Sequence, residues 1–373
     1  MDNDGKLDKI TDIKDNAISK IDNFKDNIID KMSDFNSEHL NLSPYLIFLL
    51  VAIIIIIIVL VIKYGLKKLL YVFNQNLIDL FNFEKIYMAS SSLVSIVDNP
   101  NYKKHALCDF FVKTAYNCCC SSNFKDSYVN LGSLEICISQ GVRCLDFEIH
   151  SVNNEPVVAA SSLDTYNKME TYNSLPIQDV LNTIAKLAFS ASTCSNYNDP
   201  IILHLRIMNT NANMYKNFAN IISNSQQFHS LILGKDYSNE YHGKNLGSVP
   251  ILNFKRKIII CVNGSDTFYR STPLDEYINI VSGQAFMHLI RYNDIKYNPD
   301  QNLRNFNKKN MSIVLPSPQE KLENPSFNLS REYGCQFIGM SFPNNDINLQ
   351  QYNQFFNNNK SAFVLKPAVL RNQ

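Results

Sequence analysis

GVRCLDFEIHSVNNEPVVAASS, residues 141–162, is the stretch on which the fold of this chain turns. Two apolar runs flank a polar Asn-Asn pair, so the stretch reads as two buried strands joined by a turn. Side chains alternate along a strand. Cys144, Asp146, Glu148 and His150 therefore share one face, while Arg143, Leu145, Phe147 and Ile149 share the other. Carboxylates on a buried strand usually hold a metal or move a proton. The second run, PVVAASS, ends in nothing but small residues.

Similar runs recur outward from this pair. DFFVKTAYN (109–117), PIILHLRI (200–207), KIIICV (257–262), FMHLIRY (286–292), QFIGMSF (336–342) and AFVLKP (362–367) join VRCLDFEIH (142–150) and EPVVAA (155–160) as eight candidate strands. IQDVLNTIAKLAF and YKNFANIISNS have helical spacing between them. Continuous apolar strands separated by crossovers imply a parallel sheet covered on both faces. The expected fold class is α/β, a TIM-like (β/α)8 barrel, with an open doubly wound sheet as the alternative. Such barrels carry their sites at the C-terminal ends of the strands. Asn117 ends the strand beside Asp146 and Glu148, and these three hard oxygen donors suit calcium. The competing reading is a buried polar cluster neutralised by Arg206 or Arg143.

Lys and Arg total 35 against 34 Asp and Glu, so no basic excess points to a nucleic-acid partner. The nine cysteines include three in a row, and no CxxC pair occurs. That usage suits buried thiols rather than a disulfide framework or a zinc site. Pro44 to Ile62 runs 19 residues without a charge, the length of a helix that crosses a bilayer. Lys63, Lys67 and Lys68 follow it, which favours a single-pass protein with its C-terminal part in the cytosol. Before it, Ile10, Ile13, Ala17, Ile21, Phe24, Ile28, Met32 and Phe35 recur as an 11-residue repeat. This predicts an amphipathic helix on the membrane surface, or a self-association helix. The expected organisation is a polar N-terminal helix (1–42), a membrane span (44–63), a juxtamembrane connector (64–104) and the barrel (105–371).

The order of motifs within the barrel resembles phosphoinositide-specific phospholipase C, whose X and Y boxes together form one distorted barrel. GVRCLDFEIHSVNNEPVV and NDPIILHLRI are similar to X-box strands. REYGCQFIGMSF and NKSAFVLKPAVLR are similar to the Y box, including its VLKP-x-x-LR ending. The resemblance covers roughly residues 105–371. It implies a phosphoric diester hydrolase acting on phosphatidylinositol lipids, with calcium held by Asn117, Asp146 and Glu148.

The matched positions also depart from the family. Its two catalytic histidines fall on Tyr116, in KTAYNCC, and on Ser162. The two acids occur in exchanged order, and the fourth calcium ligand falls on Arg206, a cation where the ion is expected. The phosphate-clamping Arg of the family falls on Ile313. His204 and His150 are the substitutes at hand for an acid or base, against the plainer reading that each is a hydrogen-bonded interior residue. Arg206 and Lys366 are the candidate substrate-binding cations. The expectation is a catalytically impaired member, a pseudoenzyme with a lipid- or inositol-phosphate-binding or scaffolding role. An active lipid hydrolase with a rearranged acid–base pair is the alternative.

Overall fold

The computed structural model describes residues 44–163, 168–241, 244–264, 267–318 and 323–372, with 19–20, 22–23, 25–27 and 30–31 before them. Two compact units divide it, Met1–Phe73 and Asn74–Gln373. In the first, the helix Pro44–Ile86 begins, and its Tyr45–Lys67 stretch is apolar, exposed and long enough to cross a membrane. The apolar positions of the 11-residue repeat lie outside the described residues.

The second unit is built on eight parallel strands. In chain order these are β1 (Phe110–Ala115), β2 (Cys144–Val152), β5 (Ile201–Ile207), β6 (Ile258–Asn263), β7 (Ile280–Ser282), β8 (Met287–Arg291), β9 (Met311–Leu315) and β10 (Phe337–Met340). Their spatial order is β7-β6-β5-β2-β1-β10-β9-β8, a nearly closed barrel whose ladder is interrupted between β7 and β8. Three further strands attach to it: β3 (Glu155–Ala159), β4 (Leu175–Pro176) and β11 (Phe363–Leu365). The helices Ile177–Leu187 and Ala212–Asn224 flank β5 in the chain, as their apolar spacing predicts.

Two of the eight expected strands have another role. EPVVAA forms β3, which folds back antiparallel on β2, and AFVLKP forms β11, antiparallel on β1. The reason for the first is local. Val152 pairs with Glu155, leaving Asn153 and Asn154 as a two-residue loop with φ of 52° and 67°. Paired positive φ values are what a tight hairpin turn demands, and Asn tolerates them. The vacated barrel places go to β7 and β9, whose runs of three and five residues are short.

Residues of the connector join the barrel core. Phe83, Leu93, Ile96 and Val97 are buried, and a Cβ at Gly132 would meet the Leu80 methyls at 3.0 and 3.1 Å. Asp199, just before β5, accepts the Ile96 amide at 2.7 Å, while its Oδ2 has no partner. Burial pushes its carboxyl up from 3.8 to about 7, against the pull of Arg143. A raised carboxyl costs the fold stability as pH climbs between those two values. Asp199→Asn should flatten that slope, measured as urea midpoints from pH 4 to 8. All nine cysteines are buried free thiols.

Candidate active site

Register brings the polar residues together. Along the β2–β5 ladder Asp146 faces His204 and Glu148 faces Arg206. Arg206 uses its whole fork: Nη1 donates to Glu148 Oε1 at 2.9 Å and Nη2 to Asp146 Oδ1 at 3.0 Å. Its Nε donates to Asp146 Oδ2 at 3.1 Å, and Nη2 also reaches Asn117 Oδ1 at 2.7 Å. The guanidinium carbon lies 4.5 Å from the centre of the Tyr116 ring, a cation–π contact. All five side chains are buried. Arg143, on the opposite face of β2, donates instead to Ala188 O and Asn196 Oδ1. Of the two cations weighed as neutralisers, Arg206 has the role and Arg143 anchors the outer layer.

The remaining carboxylate oxygens are also taken. Glu148 Oε2 accepts from Ser161 Oγ at 3.0 Å and lies 3.3 Å from His150 Nε2. Asp146 Oδ2 lies 2.6 Å from His204 Nδ1, whose Nε2 lies 2.8 Å from Ser282 Oγ. Asp146, His204 and Ser282 thus line up like an acid–base–nucleophile relay. Each has 0% exposure, so the line is sealed from any substrate and serves to tie β7 to β5 and β2.

Burial alone would raise both acids. The adjacent Arg206 charge and the His204 hydrogen bond overcome it at Asp146, holding its carboxyl at about 2 against an ordinary 3.8. Glu148 is lowered in the same way by Arg206 and His150. Depressed carboxyls stabilise the fold above their unfolded values and lose that contribution as pH falls through the folded ones. For Asp146 this is on the order of 2 kcal/mol. The loss should therefore develop between about 4 and about 2 in acid titrations followed by circular dichroism.

Calcium does not fit this donor set as it stands. Asn117 Oδ1 and both carboxylates already bind a guanidinium, and a divalent ion would have to displace Arg206 from a buried position. Among the described residues no group of three or more His, Cys, Asp or Glu side chains is arranged to hold a metal.

The two positions of the expected histidines lie nearby. The Tyr116 hydroxyl is pushed up by burial, which makes it a poor base. Ser162 donates through both its amide and its hydroxyl to Glu170 Oε2. Glu170 escapes a reading of the sequence because it returns on a loop eight residues later. Arg291 escapes it too: it ends β8 on the same face as Met287, whose sulfur is 3.7 Å from Cys261 Sγ, and its charge acts on Tyr116. Lys366 is not brought to this cluster. Its amide bonds Asp109 O and its Nζ bonds Asn307 O, at the start of β1, whereas Tyr116 follows the end of that strand.

Residues 103–264 match the family model of the phosphatidylinositol-specific phospholipase C X domain. Among solved structures, PLC21 of L. pealei superposes with a TM-score of 0.58 at 18% identity, covering 72% of this chain and 38% of that one. PLC21 of S. officinalis gives 0.57 at 18% identity with the same coverages. A calcium-dependent phosphoinositol-specific phospholipase C from Pseudomonas sp. gives 0.44 at 10% identity, covering 66% of this chain and 92% of that one. This chain thus spans well under half the length of the two PLC21 structures, and the likeness to them is one of fold. None of the curated proteins matches the sequence.

Proposed function

From the premise that this chain belongs to the phosphatidylinositol-specific phospholipase C family, we propose that it is a membrane-anchored member without phosphodiesterase turnover. In this reading it binds or scaffolds lipid through a barrel whose metal has been replaced by an arginine. The observation that carries the proposal is the Arg206 guanidinium, bonded to Asn117, Asp146 and Glu148 together. The ion pair is internal, so it leaves no Lewis acid for a phosphate. Of the two histidines named as substitutes, neither takes the place of the missing pair: His204 is sealed under β7 and His150 points its Nε2 at Glu148.

Two buried atoms of the cluster have no partner, Asn117 Nδ2 and His150 Nδ1, and they are enclosed like the His204 line. The apolar helix Tyr45–Lys67 is the proposed anchor, and the lysines that follow it favour a cytosolic barrel.

The test is the full chain in phosphatidylinositol vesicles, assayed for inositol phosphate release with and without calcium. No calcium-dependent release is expected. Calcium-dependent release that Asp146→Asn abolishes would establish the active-hydrolase reading instead. Failure of the detergent-solubilised chain to retain phosphatidylinositol over phosphatidylcholine would reduce the role to structure alone.

A further inference from the structure

The interruption of the barrel between β7 and β8 opens a cleft of about 620 Å³, within the range of ligand sites. It is separate from the Arg206 cluster. Residues 278–281 all line it. Successive strand side chains point to opposite faces, and Ile280 and Val281 of β7 both border the cavity, so it runs along the strand's edge. The facing wall is again consecutive, Gln284 to Phe286, with Met311 at the start of β9. Leu246, Ile278, Ile280 and Met311 make a buried apolar floor. Lys244, Arg270, Asp275 and Glu276 put both signs of charge on its lining.

We propose that this seam is a docking site for an extended peptide of a partner protein, added as a strand along the outer edge of β7. An interrupted ladder offers main-chain groups that an extended chain can pair with, and side-chain pockets then set specificity. The apolar floor takes alternate apolar residues of the peptide. The mixed charges select flanking residues of both signs and disfavour a peptide of uniform charge. The short β7, joined to β8 through Gly283 and Gln284, leaves the rest of the edge clear of β8.

The experiment displays random peptides of about seven residues, a strand's usual length, to the full chain in detergent. Enriched peptides should alternate apolar and charged positions and slow amide exchange at residues 278–282. Ala285→Trp, at an exposed wall position, fills the cleft and should weaken them by roughly tenfold or more, about 1.4 kcal/mol. Lys186→Ala, at an exposed helix position that does not line the cleft, should leave their affinity unchanged. The proposal is overturned by failure to enrich any peptide sensitive to Ala285→Trp, or by exchange protection elsewhere. Full displacement by monomeric dodecylphosphocholine without peptide-like protection would identify an amphiphile site instead and equally overturn it.

Discussion

Arg206→Met lowers the stability of the barrel by about 3–5 kcal/mol, the usual cost of stranding buried charges without their partner. The methionine fills much the same space, so the loss is electrostatic rather than a cavity. Asp146 and Glu148 are left 0% exposed with no guanidinium, and burial then raises both carboxyls instead of being overruled. The pH dependence should consequently invert. The native protein loses stability in acid, whereas the variant gains relative to it as the carboxyls take up protons. Calcium added to the variant should recover part of the loss, with Asn117, Asp146 and Glu148 as oxygen donors. The native protein should not respond. Chemical unfolding at pH 4 and pH 7, with calcium or with chelator, reads all of these. A native protein stabilised by calcium would contradict the placement of Arg206 at the centre of the cluster.

Hydrolysis of phosphatidylinositol is expected at about 10⁴–10⁸-fold below that of a relative with both histidines, because a positioned acid and a positioned base each contribute about 10²–10⁴. Tyr116 has a raised hydroxyl, packed between the Arg206 guanidinium and the Phe124 ring, and holds no proton poised for transfer. Ser162 is bound to Glu170, whose carboxyl is lowered despite partial desolvation, chiefly by the Ser162 hydrogen bonds. A lowered carboxyl is a weak proton acceptor and an empty donor near neutrality. Tyr116→Phe and Ser162→Ala should then leave any residual rate unchanged in a radiolabelled-lipid assay. A fall of a hundredfold or more in either variant, the range of a true acid or base, would reinstate that residue in catalysis.

Much of the architecture was legible in residues 141–162 and the runs like them. The period-2 alternation put Asp146 and Glu148 on one face, and the ladder with β5 makes that face the interior. The barrel's parallel class followed from apolar continuity. The membership of two strands did not, because EPVVAA and AFVLKP are as apolar as true barrel strands and only the Asn153–Asn154 turn betrays the first. β7 was illegible for the opposite reason, since three residues carry no periodicity. Within the site, residue types named the cluster but not its wiring. Arg206 and Arg143 were both named as neutralisers, and the hydrogen bonds of each assign the role to Arg206. Lys366 lies away from the cluster: its place in VLKP gives its neighbours in sequence and not the end of β1 on which it sits. Glu170 and Ser282 reach the site through loop return and strand register, which no local pattern encodes.

The fork of Arg206 also bears on how this site can change. Hydrogen bonds from three residues and a ring contact converge on one side chain, so no neighbour can change alone to a metal-binding form. An acid at position 206 would add a third buried negative charge beside Asp146 and Glu148, and the chain would then fold only where calcium is already plentiful. A histidine at 116 would lose the ring that now shields the guanidinium. A metal-binding form of this site would therefore be reached only through poorly folding intermediates, and single substitutions around Arg206 leave the guanidinium in command of the cluster.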